Sequence, residues 1–168
     1  MKGTSFLEAS GIVIGRLSPG DSSAFSDFIT ELYLEYPMAM NFTKEPERGE
    51  LDDLLGGKIK GMQAGIVVDL VARRSGEIVG ECEIVKRWEG NAVVGIIVRK
   101  DYRAKGVGAE LLERSLQLAR TIGIRELTAE VDSANVQAIS FFRRMGFSDE
   151  GPAQGRLRFA RSISENAA

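Results

Sequence analysis

The chain has 168 residues, 43% hydrophobic and 27% charged, enough for one domain with a sizeable core. A net charge of -2 and a pI near 5.4 disfavour a broad nucleic-acid-binding face, and no apolar run approaches a membrane span. There is no histidine and one cysteine, Cys82, which excludes Ser-His-Asp and Cys-His catalysis as ordinarily built, an intramolecular disulfide and a structural zinc site.

In chain order, Gly11 to Leu17 alternates Ile12 and Ile14 with smaller residues and predicts a short strand. Ser18-Pro19-Gly20-Asp21 is a turn with a helix-start signal. Phe25, Phe28, Ile29, Leu32, Tyr33 and Tyr36 share one helical face, and Pro37 ends that helix. Met38 to Arg48 reads as a loop. A second helix is predicted from about Glu47 to about Lys60 on Leu51, Leu54, Leu55 and Ile59, weakened by Gly56-Gly57. From Ile66 the period shortens. Ile66 to Ala72, Ile78 to Lys86 and Ala92 to Val98 predict an antiparallel meander, with turns at Arg74-Ser75-Gly76-Glu77 and Glu89-Gly90-Asn91. Gly95 inside the third of these strands predicts a bulge or a close backbone approach.

A long amphipathic helix follows on Val107, Leu111, Leu112, Leu116, Ala119 and Ile122, capped by Gly123. Glu126 to Val131 is a strand, parallel to its predecessor if that helix is a crossover. A short helix from Ala134 or Asn135 to Met145 precedes Gly146, Phe147 and a final hairpin with Leu157, Phe159 and Ile163 on one face. Ser164 to Ala168 is expected to fray. The expectation is one domain, 1–168, with an ordered core of about 10–163. Its class is α+β, an α/β/α sandwich: a mixed, mostly antiparallel sheet with one central parallel crossing and helices on both faces. A cleft opens at the strand ends beside such a crossing. The lone cysteine suits a reducing compartment and Met1 to Ser10 lacks a continuous apolar core, so a cytoplasmic location is expected.

The start of the long helix is odd for a helix standing alone. Gly106 and Gly108 fall in or near its first turn, where each costs about 1 kcal/mol relative to alanine. No Ser, Thr, Asp or Asn stands at the cap position, and Arg103 and Lys105 put positive charge at the positive end of the helix dipole. A bound anion resolves all three: free amides point at it, glycines admit it and the cations attract it. The alternative is a plain tight turn with solvated basic residues.

Arg103-Ala104-Lys105-Gly106-Val107-Gly108 fits the phosphate signature Gln/Arg-x-x-Gly-x-Gly/Ala of the GNAT superfamily of N-acetyltransferases at every position. Ile96-Ile97-Val98-Arg99 with Asp101-Tyr102-Arg103 resembles that family's preceding strand and loop. Asn135-x-x-Ala138 with Met145-Gly146-Phe147 resembles its later helix and Gly-Phe. The resemblance covers about a third of the chain by motif and agrees with the element order of the rest. It implies acetyl-CoA (or CoA) as cofactor. Ile96, Ile97 and Val98 would pair by backbone with the pantetheine arm, and Arg103, Ala104, Lys105, Gly106, Val107, Gly108 and Ala109 would hold the pyrophosphate. Asn135 would touch the pantetheine as well as cap its helix, and Arg144 would lie near the nucleotide phosphates or simply face solvent.

The implied reaction is direct attack by a primary amine in a ternary complex. An alkyl amine has a pKa of about 10 and must lose a proton first, which a carboxylate raised by partial burial assists. Glu130, in Ala129-Glu130-Val131, is the first candidate for this general base, with Glu81 and Glu83 behind it. Phe142 departs from the family, where a tyrosine often returns a proton to the CoA thiolate; here the ring can only pack beside the thioester. A free thiol has a pKa of about 8.5, so unassisted departure is feasible near neutral pH. Tyr33 and Tyr36 are further hydroxyls near the cleft, with core packing favoured for Tyr33. Cys82 reads as a small buried hydrophobe. The acceptor is a small-molecule amine or a protein lysine or N-terminus, on a surface built by Tyr36 to Arg48 and the two N-terminal helices. The alternative is a non-catalytic acyl-CoA-binding module, a sensor or scaffold. A dinucleotide enzyme is disfavoured because the third glycine is missing. No metal, nucleic-acid or membrane partner is expected, and the assembly is a monomer or homodimer.

Overall fold

The structure is a computed structural model that describes residues 6–37 and 42–164. Part of the expected Met38–Arg48 loop, and the fraying expected beyond Ser164, lie outside the described residues. A short helix, α1 (Phe6–Ala9), leads into β1 (Val13–Arg16). A 3-10 turn (Pro19–Asp21) then opens α2 (Ser22–Glu35). Asp21 closes that turn by accepting from the Ser18 amide at 2.8 Å, the local bond that makes Ser-Pro-Gly-Asp a helix start. Helix α3 (Arg48–Gln63) runs three residues beyond the expected end and continues through Gly56-Gly57. Its start is fixed by the Glu47 amide donating to Glu50 at 2.8 Å. Its buried edge carries Leu51 and Leu55, which offset the entropic cost of the glycine pair. Near its end, Gly61 admits the start of β2, where a Cβ would meet Val67 Cγ2 at 2.6 Å.

Strands β2 (Val67–Arg74), β3 (Glu77–Lys86) and β4 (Asn91–Val98) form the expected meander. After a 3-10 turn (Lys100–Tyr102) come α4 (Val107–Thr121), β5 (Glu126–Val131), α5 (Val136–Arg144), β6 (Ser148–Ala153) and β7 (Arg156–Ser162). The strands form a single sheet in the order β1-β2-β3-β4-β5-β7-β6, antiparallel throughout except for β4 and β5. Helices α2 and α3 cover one face, packing Phe25, Phe28, Ile29, Leu32, Leu51 and Leu55 on Val71 and Ile78. Helices α4 and α5 share the second core on the other face, where Leu111, Leu112 and Phe142 meet Cys82, Ile84, Leu127 and Phe159. The α/β/α sandwich is therefore as expected.

The parallel pair is short. β4 and β5 pair only at Asn91↔Glu126, Ala92↔Leu127 and Val93↔Thr128. Beyond Val93 the two strands part. β4 continues to Val98 on its β3 edge, and β5 continues to Val131 on its β7 edge. The result is a fork in the middle of the sheet. Gly95 sits two residues past the last pair. The expected bulge is not found there: the β3 register runs unshifted through Glu83↔Gly95, and a Cβ on Gly95 would meet nothing within 4 Å. Open space, rather than a bend or a close backbone, is what this glycine leaves.

Candidate active site

The fork has a polar edge on the β4 side. Arg99 donates its amide to Val79 of β3 at 2.9 Å. Backbone groups alternate sides along an antiparallel strand, so those of Ile97 also turn to β3. Those of Ile96 and Val98 turn to the fork, beyond the last β5 pair at Val93, where β5 no longer reaches them. One of them is taken: Arg103 Nε donates to the Val98 carbonyl at 2.8 Å. Of the three residues expected to pair with an extended ligand arm, Ile96 and Val98 thus present backbone groups to the fork and Ile97 does not.

The start of α4 lies at the same end of the sheet. Its cap residue is Gly106, with φ at +88°, and no side chain caps it. Ala104 also has a positive φ, +56°, a conformation that disfavours any side chain. The first amide to find a carbonyl is that of Glu110, bonded to Gly106 at 3.0 Å. Among the described residues no acceptor pairs with the amides of residues 104–109, and no carboxylate caps them. Ala104, Lys105 and Gly106 are exposed, and a Cβ on Gly106 would meet nothing within 4 Å. Left-handed residues alternating through such a turn aim successive amides into one concavity suited to an anion. Behind the turn, Val107 is buried, and a Cβ on Gly108 would only touch the Phe141 ring, at 3.4 Å. Gly80 on β3 is tighter and admits the helix body, because a Cβ there would come within 3.1 Å of Leu111 and 3.4 Å of Val107. Nothing in the strand pattern had singled out Gly80.

The cations of the turn are less free than expected. Arg103 NH1 and NH2 donate to the two carboxylate oxygens of Glu35 at 2.8 and 3.1 Å, and the guanidinium lies over the Tyr36 ring at 5.5 Å. Lys105 Nζ donates to the Asp101 carbonyl at 2.6 Å and sits 5.5 Å from the Phe6 ring. Arg144 is exposed, with no partner among the described residues. Asn135 caps α5, its Oδ1 accepting from the Ala138 amide at 3.1 Å. Its amide nitrogen has no partner among the described residues, so the cap leaves a donor for a second role. Ala109 is half-buried on the first turn of α4.

The two residues expected at the chemistry are differently placed. Phe142 is buried, with its ring 5.1 Å from Phe147, 5.4 Å from Phe141 and 6.3 Å from Phe159. Glu130 stands on β5 beyond the last β4 pair, on the face away from Ala129 and Val131. It is exposed, so the partial burial expected of it is absent, and no described residue binds its carboxylate. Glu81 and Glu83 belong to a different arrangement. Lys58 Nζ reaches Glu83 at 2.6 Å, Glu81 at 2.8 Å and Asp69 at 2.9 Å. Asp69 and Glu81 are buried, while the Glu83 side chain is 33% exposed. Burial would push the ammonium down, but the charges of Glu81, Asp69 and Glu83 outweigh it and hold Lys58 above the ordinary lysine range. Asp69 moves the other way. Burial first, and then the charge of Glu81, push its carboxyl up to about 9. Tyr33 is half-buried edge-on to Phe42 at 6.4 Å, and Tyr36 is half-exposed.

Cys82 is fully buried, and burial pushes its thiol up to about 12. A thiol reagent such as dithionitrobenzoate is therefore expected to release no colour from the native protein at pH 8. One equivalent should be released once the chain is denatured; rapid native labelling would refute the buried placement.

The acetyltransferase (GNAT) family model matches residues 27–147, more than two thirds of the chain. The chain belongs to the GNAT acetyltransferase family. It is 32% identical over 72 residues to an L-methionine sulfoximine/L-methionine sulfone acetyltransferase of Pseudomonas paraeruginosa, covering 43% of this chain and 42% of that protein. It is 38% identical over 85 residues to an IAA acetyltransferase of Azospirillum brasilense, covering 49% and 56%. The chain thus matches about half the length of these curated relatives. In fold it is similar to the PaiA N-acetyltransferase of Thermoplasma acidophilum in complex with coenzyme A. The TM-score is 0.73 at 17% identity, covering 90% of this chain and 98% of that one. In this GNAT chain the matched region runs from within α2 to Phe147, three residues past α5, and so includes the fork, the glycine turn and helices α4 and α5.

Proposed function

We propose that this protein is an acetyl-CoA-dependent N-acetyltransferase acting on a primary amine. The observation that carries the reading is the row of unpaired amides at residues 104–109, opening beside a fork whose β4 edge is itself unpaired. A diphosphate on an extended arm matches both: the anion suits the amides and the arm suits the strand edge. The named relatives are acetyltransferases, and the PaiA neighbour is a complex with coenzyme A. Acetyl-CoA, when bound, supplies the acetyl group as a thioester in reach of an attacking amine.

The chain's own residues would then divide the work. The amides of residues 104–109, with Lys105, would bind the diphosphate, and Arg144 would sit near the nucleotide phosphates. Ile96 and Val98 would orient the arm by backbone hydrogen bonds, with Asn135 on its other side. Phe142 would exclude water with its ring stack and supplies no proton. Glu130, exposed on β5 at the open side of the fork, would take the proton that the acceptor ammonium must lose. The acceptor is a small-molecule or protein amine. A cytoplasmic location and a single domain remain part of the proposal.

Calorimetric titration with coenzyme A, followed by CoA release with a panel of primary amines, tests the reading. Glu130→Gln is expected to lower kcat/KM by about ten- to a hundredfold while leaving CoA affinity within twofold. Saturable CoA binding without turnover on any amine would instead favour the non-catalytic module, for which Phe142 in place of a proton donor is the supporting observation. No CoA binding would end both readings.

A further inference from the structure

Helix α2 ends against the glycine turn, and the two are joined by side chains one helical turn apart. Glu31 binds Arg99, which also lies 3.6 Å from Glu77. Glu35 grips Arg103 with both oxygens, at 2.8 and 3.1 Å. Arg103 Nε is turned to the Val98 carbonyl at 2.8 Å, and its NH1 lies 3.4 Å from the Tyr36 hydroxyl. The bond to Val98 matters most. It ties residue 103 back to the last residue of β4 and fixes the chord across which Ala104 must turn with its φ of +56°. A guanidinium is a rigid fork, so gripping NH1 and NH2 aims Nε. Both side chains are about one-quarter exposed, so the pair is partly desolvated and more persistent than an open surface pair. Lys100 and Tyr36 are the other ionisable neighbours of Glu35.

We propose that Glu35 is a positioning residue for the cofactor turn: it holds Arg103 on the Val98 carbonyl and so sets the amides of residues 104–109 before the diphosphate arrives. The inference rests on the acyl-CoA reading for its ligand. It assigns Arg103 a different task from the phosphate contact expected of it, since the guanidinium is engaged by the chain itself. It also makes α2, which belongs to the acceptor side, a physical support of the cofactor side.

The test uses Glu35→Gln, Arg103→Gln and the double variant in the full chain. Without ligand, nitrogen-15 NMR of the wild type should show a slowly exchanging Arg103 Nε–H, and Glu35→Gln should abolish its protection. In calorimetry with coenzyme A, Glu35→Gln should raise Kd about tenfold. The double variant should be no weaker than Arg103→Gln alone, because the two residues act as one unit. Unchanged Nε–H protection in Glu35→Gln overturns the proposal. So does an additive double variant, or a tightened Kd, which would make Glu35 a competitor of the diphosphate. If the wild type takes up no coenzyme A, the acyl-transfer reading falls, and the NMR comparison alone decides the role of Glu35.

Discussion

Replacing Lys58 by methionine is expected to cost about 3–5 kcal/mol of stability, the penalty for stranding buried carboxylates without their counter-charge. For a domain of this size that is a fall in Tm of roughly 6–20 °C. Among the described residues Lys58 is the single cation bonded to Asp69, Glu81 and Glu83, and the first two are sealed from water. Methionine keeps an apolar stem of similar length and removes the ammonium, so the loss reports charge rather than volume. Adding Glu81→Gln to Lys58→Met should recover part of it. Alone, Asp69→Asn should change the pH profile. The folded-state pKa of Asp69 lies near 9, above the ordinary 3.8. Its contribution is therefore full below the unfolded value and is lost as pH rises through about 9. Asp69→Asn should flatten the decline of stability between those limits. Thermal melts of the wild type and the three variants at pH 5, 7 and 9 check this. Equal Tm values for wild type and Lys58→Met would show that the cluster is not held by that ammonium.

Gly108→Asp is expected to separate fold from function. It puts a carboxylate on the first turn of α4, where the dipole and the unpaired amides favour a negative charge by about 0.3–1 kcal/mol. The Cβ has room, with the Phe141 ring at 3.4 Å. The same carboxylate would repel and displace a diphosphate. A like-charge juxtaposition costs several kcal/mol, so CoA affinity should fall by about a hundred- to a thousandfold. Tm should hold or rise slightly while calorimetric binding disappears. Retained binding would mean that the diphosphate does not sit on these amides. Gly108→Ala, which adds the Cβ without the charge, should lose far less.

Much of this was legible in the residues. β5 falls on the expected Glu126–Val131, and the glycine turn, Gly123 and Asn135 take the expected positions at helix ends. These are local signals: period, cap and left-handed turn are written within a few residues. The Lys58 cluster is not local, although it left a trace. Lys58 continues the buried stripe of Leu51 and Leu55 on α3, and Asp69, Glu81 and Glu83 interrupt apolar strands. Only the β2–β3 register, which sets Asp69 opposite Glu83, brings those carboxylates together. Glu35 left no trace, because its partner is 68 residues away. Gly95 was read as a bulge or a close backbone approach and proved to be an opening, a difference decided by where β5 stops pairing.

That early parting of β4 from β5 has a thermodynamic side. The sheet contains two inner margins that nothing in the described chain fills, as though one ribbon had been left out of the weave. A molecule that slots in and hydrogen-bonds to either margin would bind the folded state alone. It would add about 2.7 kcal/mol when present at a hundred times its dissociation constant. The durability of this protein in a cell would then follow the supply of that molecule, rising when it is plentiful and falling when it is scarce.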